Sequence, residues 1–194
     1  MDDILIVDNL LPDGYANDLE LDIVRKGFTW AYVDDVTYGD TDGTPGLTHV
    51  LYDMENRITS EFYPFFKPIV YSIEKASGKA INTLLRMRIG LINRVDKTTS
   101  IINEPHVDFF YQHVTACYYI CDADGDTVCY DQTWSEDIGF DHRKTLETTN
   151  FTIAERCTPK KNRLFVFDGK YYHSSSTPTT YNKRIVLTVN YIPV

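Results

Sequence analysis

The chain has 194 residues, of which 43% are hydrophobic, 24% charged and 13% aromatic, a balance that suits one folded domain with a real core and excludes a disordered chain. Its formal charge of -9 argues against nucleic acid as a partner, because phosphate binding asks for a basic surface. Two short basic groups, Arg86, Arg88 and Arg94 and then Lys160, Lys161 and Arg163, do not reverse that balance.

In chain order, residues 4–7 are an apolar run that predicts a short strand, and Leu10 to Gly14 form a turn with Pro12 and Gly14 as punctuation. Leu19, Ile23 and Val24 keep helical spacing, so a helix is predicted over 15–25, stopped by Gly27. Residues 28–33 read as a strand. Residues 34–48 are rich in Asp, Gly and Thr and hold Pro45, which predicts a mobile loop over a pocket rim. A helical region is predicted over about 54–76, interrupted by Pro64 and Pro68 and ended by Gly78.

From residue 84 the pattern changes to apolar or aromatic runs at 84–95, 114–121, 127–130, 151–156, 164–167 and 185–192. Short strands at such spacing predict a sandwich or barrel. The expected organisation is therefore one domain, with residues 1–80 a helical support carrying an N-terminal strand and 81–194 the β core. The acidic stretch from Asp122 to Asp126 lacks the Gly and Glu that a calcium loop needs, and it reads as a hairpin turn at Asp124-Gly125.

There is no run of eighteen apolar residues, and Met1-Asp2-Asp3 does not begin a secretion signal. The expectation is a soluble, cytoplasmic protein with no membrane contact. In a reducing compartment Cys117, Cys121, Cys129 and Cys157 are expected as free thiols packed in the core.

The chemistry concentrates in four residues. On a strand, positions i and i+2 share a face, so His106 and Asp108 are expected to project together. His173, 65 residues after Asp108, follows the buried run 163–168 and the turn Asp168-Gly169. Two imidazoles and a carboxylate bind one face of an octahedral iron(II) and leave three positions open. Arg184, eleven residues past His173, starts the last strand and shares a face with Thr188. A guanidinium aimed into a barrel is costly unless it meets an anion, and a carboxylate satisfies it in bidentate geometry.

In this order of residues the sequence resembles the prolyl-4-hydroxylase-like branch of the iron(II)- and 2-oxoglutarate-dependent dioxygenases, over most of its length. It looks particularly like the short phage and bacterial forms, which would place it in a host cytoplasm if its source is viral. The matching words are Pro105-His-Val-Asp108, Thr115-Ala-Cys-Tyr-Tyr119, Gly125-Asp-Thr127, Asn162-Arg-Leu-Phe-Val-Phe167, Leu10-Leu-Pro12 and Phe28-Thr-Trp30.

The resemblance implies a double-stranded β-helix, a jelly-roll or cupin-like barrel that is mainly β with N-terminal α-helices. It implies His106, Asp108 and His173 as metal ligands and catalytic residues, with Arg184 holding 2-oxoglutarate. It implies Tyr119 as a second contact to that co-substrate, or Tyr118 if the face is slipped by one residue, and Thr188 as a hydroxyl beside the arginine. The implied reaction consumes oxygen and 2-oxoglutarate, releases succinate and carbon dioxide, hydroxylates a substrate, and uses ascorbate as a reductant. The substrate is expected to be a peptide or protein, hydroxylated at prolyl residues, or a small molecule. The alternatives are a catalytically silent barrel that binds metal and 2-oxoglutarate as a binding module, or the same triad loaded with zinc or manganese.

The remaining polar residues have plain readings. His113 is read as structural or substrate-side, and His49 and His142 as solvated. Arg86 and Arg88 alternate with apolar residues, as on the solvated face of an edge strand, with a substrate groove as the functional alternative. Substrate loops are expected at 34–50, 96–104 and 131–147. Oligomeric state has no signature in the sequence.

Overall fold

A computed structural model describes residues 4–25, 27–37, 43–55, 57–96, 98–136 and 142–194. β1 (Leu5–Asp8) leads into α1 (Asp13–Val24), which buries Ala16, Leu19 and Ile23 at helical spacing. Next come β2 (Ala31–Val33), β3 (Gly46–Tyr52), a short α2 (Tyr63–Phe66) and α3 (Pro68–Ser77). Pro68 opens α3, where a missing N–H costs nothing, and Gly78 ends it at φ 67°, a left-handed value that glycine adopts without strain. The rest is β4 (Ile81–Asn93), β5 (Val114–Tyr119), β6 (Thr127–Thr133), α4 (His142–Thr148), β7 (Ile153–Cys157), β8 (Arg163–Asp168), β9 (Tyr171–Ser175) and β10 (Lys183–Pro193).

Among the described residues the strands form two antiparallel sheets, one in the order β1-β8-β5-β10-β4-β3-β2 and one in the order β7-β6-β9. This is the mainly β, jelly-roll architecture that the sequence predicts, with α1, α2 and α3 in the N-terminal part and the short α4 between β6 and β7. The N-terminal eighty residues also contribute three strands to the larger sheet, because β1 pairs with β8 and β3 pairs with β4.

Alternation along β4, β5 and β10 sorts two cores. Met87, Ile89, Ala116, Tyr118, Leu187 and Val189 face outward and pack with Leu19, Ile23, Phe66, Ile69 and Ile73 from the helices. Cys117, Tyr119, Phe165, Phe167 and Val186 face inward and meet Cys129 and Cys157 of the smaller sheet. All four cysteines are buried and free. Among the described residues, no helix is long and apolar enough to cross a membrane.

Several local expectations are corrected. Residues 46–48 of the expected loop belong to the strand β3, because pairing with β4 along Leu47↔Leu91 and His49↔Ile89 outweighs a turn-rich composition. The helical region begins at Tyr63 rather than near residue 54. Before it the Asp53 carboxylate accepts from the Glu55 and Arg57 amides, which holds a turn.

β4 has partners on both sides, so Arg86 and Arg88 lie on a central strand and not on a solvated edge. Asp124-Gly125 is not a hairpin, since β5 and β6 belong to different sheets. The segment instead crosses between the sheets, and the Asp124 carboxylate accepts from the amides of Thr179, Thr180 and Tyr181. His49 is half-buried in β3, bonded to Thr29 O and Ser60 Oγ. α4 occupies part of the expected loop at 131–147. Residues 38–42 of the expected rim, and 97 and 137–141 of the other expected loops, lie outside the described residues.

Candidate metal and co-substrate site

His106 and Asp108 do not lie on a regular strand. His106 instead makes an isolated antiparallel bridge with His173 of β9, each backbone amide donating to the other's carbonyl at 3.0 and 2.9 Å. Directly opposed residues of an antiparallel pair point to the same side. The two imidazole rings therefore lie 4.5 Å apart. Asp108 is two residues on, and its Oδ2 is 3.6 Å from His173 Nε2. One ligand atom from each of the three residues lies within 4.8 Å of the others, and all three residues are buried. The shared face predicted from the i, i+2 spacing is thus real, but a bridge to β9 creates it.

The ring orientations suit metal binding. His106 Nδ1 faces Glu104 O and His173 Nδ1 faces Tyr171 O, both at 3.2 Å. A carbonyl can only accept, so each Nδ1 carries the proton and each Nε2 keeps its lone pair. Burial, and then the neighbouring His173, pushes His106 down to about 3. Burial likewise lowers His173. Burial works to raise Asp108, but the charge of Arg86, followed by the two histidines, outweighs it and holds the carboxyl well below its usual range. Two neutral imidazoles and one carboxylate are the donor set that fits iron(II).

The triad opens onto a cavity of about 290 Å³ that also reaches Arg184, Thr188, Arg88 and Thr127. Arg184 is 5% exposed, and its Nε donates to Gly125 O and its Nη2 to Thr127 Oγ1, both at 2.7 Å. Among the described residues no carboxylate pairs with it. Gly125 itself packs tightly on the segment 176–178, where a Cβ would stand 2.3 Å from Ser176 O.

Tyr119, and not Tyr118, faces inward. Its hydroxyl donates to Thr127 Oγ1 at 2.7 Å, and its ring lies 5.9 Å from the Arg184 guanidinium carbon. Tyr119 therefore stands behind the cavity wall, touching the arginine and its threonine partner. Tyr118 faces the outer core and bonds to Asn162 Oδ1. Thr188 lines the cavity, as expected from its spacing to Arg184.

Three more residues surround Asp108, and none of them is expected at the metal from the sequence, where Arg86 is weighed only as a groove residue. Arg86 Nη2 donates to Asp108 Oδ1, while Asn190 Nδ2 and Thr115 Oγ1 donate to Oδ2 at 2.8 and 3.2 Å. The available signal is a lone amide at Asn190 within the apolar run of the last strand. Gly90 also belongs to the site, since it lines the cavity and a Cβ there would meet nothing within 4 Å. His113 is kept apart from the triad cavity, buried against Gly169 with its Nδ1 donating to Tyr111 O at 2.8 Å.

The sequence matches no family model, and no curated protein is similar to it. Solved structures are similar. The non-heme alpha ketoglutarate-dependent epimerase SnoN from nogalamycin biosynthesis aligns with a TM-score of 0.67 at 15% identity, over 98% of this chain and 78% of that one. SnoN has also been solved with Fe3+, alpha ketoglutarate and nogalamycin RO. An oxidoreductase of the 2OG-Fe(II) oxygenase family from Burkholderia pseudomallei aligns at 0.64 and 13%, over 97% of this chain and 84% of that one. A prolyl hydroxylase from Trichoplax adhaerens, in complex with a hypoxia inducible factor peptide fragment, aligns at 0.60 and 11%, over 99% and 84%. The fold is that of the 2OG-Fe(II) oxygenases. HygX from Streptomyces hygroscopicus, another similar structure, has been solved with nickel and 2-oxoglutarate bound, and the His-Asp-His cluster here has a donor set for such a metal.

Proposed function

We propose that the chain is an iron(II)- and 2-oxoglutarate-dependent dioxygenase that hydroxylates a substrate, with the barrel acting as a single catalytic domain. The observation that carries this reading is one cavity joining the buried His106-Asp108-His173 cluster to a buried arginine that has no acidic partner among the described residues. When bound, iron(II) supplies oxygen activation coupled to oxidative decarboxylation of 2-oxoglutarate to succinate and carbon dioxide.

The chain's own residues do the rest. His106 and His173 offer Nε2 lone pairs that neutral pH leaves unprotonated, and Asp108 adds the one negative charge. Arg184, already held by Gly125 O and Thr127 Oγ1, turns its remaining donors to the far carboxylate of 2-oxoglutarate. Tyr119 packs behind that end against the guanidinium and its Thr127 partner, and Thr188 lines the same cavity. His106, Asp108, His173 and Arg184 are all buried at the cavity wall, which strengthens each of these polar contacts.

The substrate is a peptide or protein prolyl residue on this reading, and the peptide complex of the Trichoplax adhaerens relative supports that class. The epimerase SnoN keeps a small molecule as the second candidate. Incubation with iron(II), 2-oxoglutarate, ascorbate and proline-containing peptides or small-molecule candidates tests the proposal. Succinate formed above the substrate-free level is the expected result. Tight metal and 2-oxoglutarate binding with no turnover on any candidate would instead favour a binding module.

A further inference from the structure

Three adjacent strands each send one inward side chain to Asp108. Asn190 of β10 lies opposite Arg86 of β4 on one side and opposite Thr115 of β5 on the other, so the three form one transverse row across the larger sheet. Each row member bonds to the carboxylate, Arg86 at Oδ1 and Asn190 and Thr115 at Oδ2. They also bond to one another. Arg86 Nε donates to Asn190 Oδ1 at 3.0 Å, and Asn190 Nδ2 donates to Thr115 Oγ1 at 3.0 Å. The guanidinium is further placed by the Phe109 ring, 5.0 Å from its central carbon.

We propose that Arg86 is a positioning residue for the metal site, fixing the Asp108 carboxylate in plane and orientation together with Asn190 and Thr115. The inference rests on the dioxygenase reading above, and it concerns the chain's own residues toward the metal. A free carboxylate rotates about its last torsion, and ordering it is part of the cost of metal binding. Donors on both oxygens, mounted on three strands that cannot move independently, remove that freedom in advance. Partners of this kind orient a ligand and tune its donor strength.

A nearby cation also repels a dication, and this effect opposes the first. Geometry decides between them. Asp108 lines the cavity and Arg86 does not, so the carboxylate stands between the Arg86 charge and the cavity. Its side chain is 11% exposed and that of Asp108 only 3%. An aspartate buried to that degree and stripped of its cation would be left uncompensated and held at one oxygen only.

The test uses the full chain, freed of metal, with Mn(II) titrated calorimetrically and Co(II) read by its visible absorption. Arg86→Gln is expected to weaken Mn(II) binding by roughly 10- to 100-fold and to alter the Co(II) bands. Arg86→Lys, which keeps the charge but cannot reach Asp108 and Asn190 with one rigid fork, is expected to fall between Arg86→Gln and the parent. Thr115→Val removes a single hydroxyl at nearly constant shape and is expected to alter the bands with a smaller loss of affinity.

A merely structural role would lower the melting temperature and leave the Co(II) spectrum as it was. Parental or tighter Mn(II) binding by Arg86→Gln, with an unchanged spectrum, overturns the proposal. If Arg86→Gln does not fold, Thr115→Val and Arg86→Lys carry the test, and parental affinity and spectra in both overturn it. Failure of the parent protein itself to bind Mn(II) would count against the dioxygenase reading, so the two failures are distinguishable.

Discussion

The two faces of β4, β5 and β10 differ sharply in what they carry. Outward, Met87, Ile89, Ala116, Tyr118, Leu187 and Val189 are buried against the helices. Inward, the same strands carry Arg86, Arg88, Gly90, Thr115, Thr188, Asn190 and Arg184, toward the triad and its cavity. Strict alternation lets one stretch of backbone hold the fold together on one side and present polar groups to a cavity on the other. A large polar content inside a barrel is tolerable only because those groups are bonded to each other or face the cavity.

That division can be broken one face at a time. His173→Ala has the largest expected effect, because a two-ligand remnant of the triad should leave no measurable Mn(II) binding in a calorimetric titration while the melting temperature changes little. Ile89→Ala attacks the other face. It should cost about 2–5 kcal/mol of stability in denaturant unfolding and leave the Mn(II) affinity of the folded protein at its parental value.

Arg184→Ala comes next, and on the proposed reading it should weaken 2-oxoglutarate binding to the Mn(II)-loaded protein by roughly 2 kcal/mol, about thirtyfold. Mn(II) binding without 2-oxoglutarate should stay unchanged. Gly90→Val has the smallest effect. It should leave stability unchanged or raise it by less than about 1 kcal/mol, since glycine is a poor strand former. The added methyls project into the open cavity, so 2-oxoglutarate binding should weaken by less than for Arg184→Ala. Coupled losses of stability and ligand affinity in every variant would show that the two faces are not separable.

What the sequence made legible follows the range of each signal. The His106, Asp108, His173 and Arg184 set was readable because residue type and order alone carry it, and the later strands were readable from local alternation. β3 was not, since Gly46 and a turn-rich approach mask a strand that depends on β4 as partner. The HxD face was inferred for a strand and comes from a bridge to β9, a pairing of residues 67 apart that no local pattern encodes. Arg86 looked solvated because period-two alternation cannot say which strands flank β4. Thr115, Asn190 and Arg86 became one row only when the register of three strands was known. Tyr119 was separated from Tyr118 on the same ground, because a one-residue slip exchanges the faces.

The sulfur of the inner core has a consequence for the protein's endurance. Cys117 lines the cavity, and burial pushes its thiol up to about 12, while burial also raises Cys129 and Cys157 behind it. The thiolate, not the thiol, attacks peroxides and disulfides. A barrel proposed to handle iron and oxygen therefore keeps its nearest sulfur atoms in the slow-reacting form. On the proposed reading, the cavity wall is in this way less prone to oxidation by stray products of turnover.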